Sequence, residues 1–354
     1  MVSISTGIPE GTPSDAPSPR RPLVIAHRGA SGYRPEHTRA AYELALMMGA
    51  DALEPDIVLS RDGVLVLRHE NELSGTTDIE ARPEFAKRRT TKIVDGHSRT
   101  GWFSEDFTWA ELSTLTARER MPTIRPASAE FDGTENILRL SDLLEIIDRF
   151  AAEQSRPIVL VAELKHAHYF ASIGLPLDEL FATAVDGWAT ASNLIVESFE
   201  LTVLAKLRAR GLPGRLIFLV ENSGAPADSL ALDDGDVVSY ADHLTAAGLA
   251  KLAHTVDGVS VSRRLILEQD AAGNATGITA VVARAQAAGL LVFTWTLRAE
   301  NRFLCLNHRS GTDPTALGDW RTEFALVMSS GVDGVFADQP DLVIKARRLS
   351  VPLA

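Results

Sequence analysis

Five short polar clusters interrupt apolar runs in the first half of the chain. They are His27-Arg28-Gly29, Pro35-Glu36-His37-Thr38, Glu54-Pro55-Asp56, His69 and Glu163-Leu164-Lys165. The runs Leu23 to Ala26 and Ile158 to Ala162 read as buried strands, so these groups fall at strand ends. Burying ionisable groups is costly unless they pair or hold a metal. Glu54 and Asp56, two apart on a strand, point to the same side and reach one ion, while Pro55 points away. Glu163 supplies a third carboxylate. Oxygen ligands suit a hard cation, Ca²⁺ or Mg²⁺, better than zinc. Such an ion acts as a Lewis acid on a phosphoryl oxygen. Arg28 and Lys165 are then placed to hold the other phosphate oxygens. His27 and His69 divide the proton work, one as base and one as acid, and the sequence does not assign which.

Each element also has an ordinary reading. A buried histidine is more often a hydrogen-bonded core residue than a catalyst. A Glu-x-Asp pair is commonly salt-bridged at a surface, and Glu163-Leu164-Lys165 reads equally as an ion pair at a strand end. The functional reading rests on the combination, because every element lands at a strand end in one regular order.

The elements that must position these groups alternate between apolar strand-like runs and amphipathic helix-like runs. Thr38 to Met48 has helical spacing and Gly49 closes it as a C-cap. Residues 52–59 form the next strand, Arg61-Asp62-Gly63 a turn, and 64–68 a strand that pairs back or continues the sheet edge. Residues 70–135 are polar and turn-rich and read as an insertion over a binding face. Within them Thr108 to Glu111 fits a capping box. The alternation resumes with a helix at 139–152 and a strand at 158–162. Further pairs are 193–198 with 200–210, 215–220 with 243–253, 256–261 with 277–288, 290–296 with 317–329, and 332–337 with 341–348. About eight strands, each followed by a helix, predict an α/β protein built as one (β/α)8 TIM barrel over residues 23–348, its inserted segment over the C-terminal face. A doubly wound open sheet is the rival, but the turn after the first strand lacks the spacing of a nucleotide-binding glycine motif.

Composition narrows the partners. The 354 residues carry a net charge of −12, which disfavours broad binding to nucleic acid or to an anionic membrane. Cys305 stands alone, so no intrachain disulfide forms, and its apolar neighbours mark it as buried. No apolar stretch is long enough for stable membrane insertion. Residues 1–22, rich in Pro, Ser, Gly and Thr, read as a disordered leader without the apolar segment of a signal peptide, which points to a cytoplasmic protein. The oligomeric state is left open.

Taken in order, His27-Arg28-Gly29, Pro35-Glu36-His37-Thr38, Glu54-x-Asp56, His69 and Glu163-x-Lys165 resemble the glycerophosphodiester phosphodiesterases. The resemblance runs from about residue 23 to 345, with later echoes at Ser198-Phe199, Trp295-Thr296 and Asp338-Gln339-Pro340. The insertion after His69 resembles the longer branch of that family, which is often exported and so also allows an exported form. The resemblance implies a TIM barrel that uses one divalent cation to cleave small glycerophosphodiesters, such as glycerophosphocholine or glycerophosphoethanolamine, to glycerol 3-phosphate and an alcohol. It implies His27 and His69 as acid and base, Glu54, Asp56 and Glu163 as metal ligands, and Arg28 and Lys165 as phosphate contacts. Trp295 becomes an aromatic wall for the glycerol carbons, and Glu36, counted with the substrate-binding residues, orders the first loop. It further implies attack by the neighbouring glycerol hydroxyl, through a cyclic phosphate that water then opens. Alternatives on similar parts are a barrel phospholipase acting on lipid phosphodiesters and a barrel that binds phosphate esters without turnover. Departures from the family pattern are His37 for the usual Asn, Glu70 for the usual Asp, Pro55 between the ligands, and Arg298 after the Trp-Thr pair.

Overall fold

The structure, a computed structural model, describes residues 21–231 and 237–349. Apart from Arg21 and Pro22, the expected leader lies outside the described residues.

Fourteen strands occur among the described residues: β1 (Leu23–His27), β2 (Ala52–Glu54), β3 (Asp56–Leu59), β4 (Leu65–Leu67), β5 (Thr90–Val94), β6 (His97–Gly101), β7 (Val159–Leu164), β8 (Leu194–Ser198), β9 (Arg215–Val220), β10 (Gly258–Ser262), β11 (Leu267–Gln269), β12 (Ala275–Ile278), β13 (Leu291–Leu297) and β14 (Gly334–Ala337). The main sheet runs β2-β1-β14-β13-β10-β9-β8-β7, and pairing of β2 with β7 closes it. All of these neighbours are parallel. β3 continues β2 beyond Pro55 and also pairs with β7, so the two pieces fill one barrel position. The interruption falls where proline has no N–H to give to a ladder. β4 folds back antiparallel on β3. The result is a closed eight-stranded parallel barrel with helices between its strands, a TIM barrel.

Two apolar layers hold it. The larger core lies mostly between strands and helices. A separate cluster of Ile25, Ala52, Val161, Ile195, Ile217, Phe293 and Phe336 plugs the barrel interior. Burying such side chains contributes roughly 1.5–3 kcal/mol each. Alternation along a strand means that the residue two positions further on also faces inward. Above this floor those positions are His27, Glu54, Glu163, Glu197, Leu219, Trp295 and Asp338.

Helix Arg39–Met48 starts on Thr38, whose Oγ1 accepts from the Ala41 N–H, and ends at Gly49, whose φ of 93° only glycine adopts freely. The Thr108–Glu111 capping box is present, on a helix of only four residues, Trp109–Leu112. Two expectations need correction. The helix expected over 277–288 is shorter, Val281–Ala287, because β12 pairs with β11 in a hairpin turned at Gly273. The helix expected over 243–253 is two helices, Tyr240–His243 and Ala246–Leu252. Thr245 starts a new cap between them by accepting from the Gly248 N–H at 3.0 Å. No helix among the described residues is long and apolar enough to cross a membrane.

Candidate active site

Strand register brings the acidic groups together. Glu54 lies level with His27 on β1, Asp56 level with Glu163, and Glu163 level with Glu197 on β8. Carboxylate oxygens of Glu54, Glu163 and Glu197 all lie within 4.8 Å of one another, and all three residues are buried. Oε1 of Glu54, Oδ1 of Asp56 and Oε2 of Glu197 are buried without a hydrogen-bond partner. Burial pushes Glu54 well above the usual carboxylate range, with the negative charge of Asp56 adding to it. Burial likewise raises Glu197, beside Glu163. Burial pushes Glu163 up to about 8 against the pull of Lys165. Asp56 goes the other way. Burial would raise it, but Arg28, His69, Lys165 and the His37 hydrogen bond together hold it well below the usual range.

Asp56 sits deeper than the i, i+2 argument implies. It is fully buried and absent from the cavity wall. Its Oδ2 meets Arg28 Nε at 2.9 Å and His37 Nε2 at 3.1 Å, and its Oδ1 lies 3.7 Å from Lys165 Nζ. The role of His37, unusual in the family pattern, becomes legible here. Its ring is fully buried between Asp56 and Tyr42, with Nδ1 2.7 Å from the tyrosine hydroxyl. Burial lowers it to about 4, so the ring is neutral.

Four imidazoles line the cavity, His27, His69, His97 and His166, and all but His97 are anchored through Nδ1 by a carboxylate, His166 by Asp95. His27 Nδ1 lies 2.6 Å from Asp338 Oδ1, and His69 Nδ1 lies 2.5 Å from Glu70 Oε1. An ionised carboxylate accepts from Nδ1–H and so leaves Nε2 as the free, basic nitrogen. Burial and the Arg28 charge lower His27 to about 4, with Asp338 opposing. Burial, Arg28 and Lys165 lower His69 to about 3.

The cations are held in place. Lys165 Nζ donates to Glu163 Oε1 at 2.7 Å. Arg28 donates from its backbone N–H to Glu54 Oε2 at 2.8 Å and from NH1 to Glu36 Oε2 at 3.1 Å. Glu36 lies off the main cavity. It accepts from Arg120 at 2.7 Å on both oxygens, and Arg120 also donates to Glu70 at 2.9 and 2.7 Å. One arginine of the insertion thus fixes the first loop and the carboxylate behind His69. A second, Arg125, donates to Asp338, Glu300 and the Ser31 carbonyl.

These groups open on a cavity of about 560 Å³. His27, Arg28, Glu54, His69, Glu163, Lys165 and Trp295 all line it, as do Glu197 and Phe199. Trp295 stands edge-on to Phe199, with ring centroids 5.8 Å apart. Asp95, Glu200 and Glu221 make another part of the wall acidic. Glu197 and Asp338 had no assigned role in the sequence. Leu194-Ile195-Val196-Glu197 repeats the apolar-run-then-carboxylate pattern of Val161-Ala162-Glu163, which is the signal that finds it.

The chain matches the glycerophosphoryl diester phosphodiesterase family over residues 27–342. A glycerophosphodiester phosphodiesterase of Arabidopsis thaliana, GDPD6, is 29% identical over 94% of this chain and 88% of its own. The enzyme of Treponema pallidum is 25% identical over 91% of each chain. Among solved structures, an Oleispira antarctica phosphodiesterase in complex with the product sn-glycerol-3-phosphate superposes with a TM-score of 0.58 at 20% identity, covering 92% of this chain and 96% of that one. A glycerophosphodiester phosphodiesterase from Parabacteroides distasonis does so with a TM-score of 0.54 at 17% identity, covering 94% and 99%. The structural likenesses carry the fold, and the family match carries the chemistry. The chain belongs to the glycerophosphoryl diester phosphodiesterase family and is a phosphoric diester hydrolase.

Proposed function

We propose that the chain hydrolyses small glycerophosphodiesters, such as glycerophosphocholine or glycerophosphoethanolamine, to glycerol 3-phosphate and the alcohol, with one divalent cation as cofactor. The observation that carries this reading is that the Nδ1-anchored imidazoles of His27 and His69 share one cavity with a buried carboxylate cluster. The cluster fits a hard cation. Its unpartnered oxygens on Glu54, Asp56 and Glu197 are buried, and leaving them unneutralised is costly. Glu54, Glu163 and Glu197, whose oxygens converge, would hold the ion, with Asp56 contributing from behind the wall through its unpartnered Oδ1, and Ca²⁺ and Mg²⁺ both suit such a set. When bound, the ion offsets charge that builds on the phosphoryl oxygens.

Arg28 and Lys165 take the remaining phosphate oxygens. One imidazole accepts the proton of the attacking glycerol hydroxyl, and the other gives a proton to the departing alcohol oxygen. The nucleophile is part of the substrate, so positioning removes much of the entropic barrier. The bound phosphodiester anion cancels part of the Arg28 and Lys165 charge that depresses His69, which moves that ring toward a range where it exchanges protons. Water then opens the cyclic phosphate so formed. It gives its proton to the second imidazole while the first returns its proton to the ring oxygen, which yields glycerol 3-phosphate and resets both rings. Trp295 and Phe199 stand on the cavity wall. Support from comparison comes from the Oleispira antarctica phosphodiesterase, solved with sn-glycerol-3-phosphate.

The test is release of glycerol 3-phosphate from glycerophosphocholine, with and without a chelator. Loss of activity on chelation, restored by Ca²⁺ or Mg²⁺, is expected. Replacing His27 or His69 by Ala should cost about 10²- to 10⁴-fold in turnover. Full activity in metal-free protein, or losses below tenfold at both histidines, would overturn the assignment.

A further inference from the structure

Beyond Trp295 the rim of the cavity turns basic. A recess of about 210 Å³ shares Trp295, Thr296 and Arg298 with the catalytic cavity and adds Arg263, Arg264 and Arg302. A second recess, of about 350 Å³, shares Arg263, Arg264 and Arg302 with the first and adds Arg309. Neither wall contains a carboxylate. Five guanidinium groups along one continuous groove are a local reversal of sign in a chain of net charge −12.

Three of the five are committed within the protein. Arg263 NH1 pairs with Glu323 Oε1 at 2.5 Å, Arg298 Nε with Asp338 Oδ2 at 2.6 Å, and Arg309 Nε donates to the Leu304 carbonyl at 3.0 Å. Arg264 and Arg302 are exposed, and their guanidiniums have no hydrogen-bond or ion-pair partner among the described residues. They follow β10 and β13 respectively, so the short helix Arg263–Ile266 and a separate loop, both beyond the C-terminal ends of barrel strands, each bring one uncommitted cation to the same groove.

We propose that this groove binds a second anionic group of the substrate, a phosphate ester carried on the leaving alcohol, while the scissile diester lies between His27 and His69. The inference rests on the phosphodiesterase reading above. A guanidinium fork matches phosphate oxygens in pairs, and uncommitted forks lose little by turning to a ligand. Continuity through Trp295 and Thr296 puts the groove on one side of the reaction centre. Glu221 lines the cavity elsewhere and repels an anion. An alcohol bearing phosphate is therefore steered to the arginine side, whereas a cationic alcohol gains nothing there. The chain's overall negative charge disfavours docking on an anionic membrane, which is the other common source of phosphate.

The experiment compares kcat/KM for glycerophosphocholine with that for a soluble glycerophosphodiester whose leaving glycerol carries a terminal phosphate, in the wild type and in R264Q/R302Q. Both substitutions are at exposed positions outside the catalytic cavity. The wild type should prefer the doubly phosphorylated diester. The variant should lose about 10- to 100-fold on it, mainly through KM, and stay within about twofold on glycerophosphocholine. Raising the salt concentration should erode the preference in the wild type. Equal effects on both substrates, or no preference in the wild type, would overturn the proposal. So would binding to phosphatidylserine-containing vesicles that is lost in the variant while the soluble preference is unchanged. If the wild type cleaves neither diester, the phosphodiesterase reading fails by itself. Calorimetric binding of inorganic pyrophosphate by metal-free protein then tests the groove alone, and undiminished binding in R264Q/R302Q overturns it.

Discussion

His27 and Asp338 are 311 residues apart in the chain, and their side chains meet at 2.6 Å. β1 and β14 are neighbours in the barrel, with Ala26 level with Ala337, so the first and last barrel strands build one ionic unit. Arg298 and Arg125 hold Asp338 well below the usual carboxylate range, against its burial. It therefore stays ionised and keeps accepting from the ring.

Asp338→Asn keeps the shape and removes the charge that orients His27. Turnover should fall by about 10²- to 10⁴-fold, as for other imidazoles that lose an orienting aspartate. The same change leaves Arg125 and Arg298 without their shared anion, and unfolding in denaturant should show a cost of about 3–5 kcal/mol. Turnover within threefold of wild type would remove Asp338 from the proposed mechanism.

Metal and pH should be linked. Glu163 is raised in the fold to about 8, so the folded chain binds a proton there more tightly than the unfolded chain does. Its contribution to stability is complete below the unfolded value near 4.5 and is lost as pH rises through about 8. Metal-free protein should therefore lose thermal stability over that window. Added Ca²⁺ or Mg²⁺ needs the deprotonated carboxylates, so it should raise the melting temperature more at pH 8 than at pH 5. Scanning fluorimetry across pH measures both, and a metal-induced shift independent of pH would contradict the proposed ligand set.

Glu197→Gln tests the carboxylate that sequence reading passed over. Its Oε2 has no partner, so the amide should cost little in folding. If the side chain contributes to the cation site, calorimetric affinity for the divalent ion should drop by about 10- to 100-fold. Unchanged affinity would leave Glu54, Asp56 and Glu163 as the complete protein ligand set.

Arg120→Ala should act through His69. Glu70, released from Arg120, stays beside the ring but loses its fixed position, and Glu36 loses two hydrogen bonds. A fall in kcat of about tenfold with a displaced pH profile is expected. A purely structural role would lower the melting temperature and leave the profile of the folded enzyme in place.

His37→Asn places here the residue that the motif resemblance leads one to expect. The backbone at position 37 is left-handed, with φ of 58°, a conformation Asn tolerates better than most residues. The ring is not part of the cavity wall, so kcat should remain within about threefold. His37→Ala, by contrast, opens a cavity and strips a partner from Asp56 and from Tyr42, at a cost of about 2–4 kcal/mol. The two variants compared by denaturation and by turnover separate packing from catalysis.

Much of the barrel was written locally. Apolar runs without polar alternation mark strands buried on both faces, and amphipathic runs between them mark the helices, so the eightfold alternation could be read without coordinates. The same local rule places His27, Glu54, Glu163 and Trp295 on the cavity, since each stands two residues beyond an inward apolar plug. Local pattern fails where pairing between distant segments decides. Asp56 follows the alternation of Glu54, yet register against β7 and the reach of Arg28 and His37 bury it behind the wall. Asp338 looked like an echo of a motif until β14 closed against β1. Arg120 and Arg125 sat in an irregular insertion whose path no periodicity describes, because its residues answer to the barrel they cover and not to their neighbours in the chain. Residue type and spacing determined which groups were available for chemistry. Closure of the sheet determined which of them converge on one cavity, which pair with one another, and which only hold the others still.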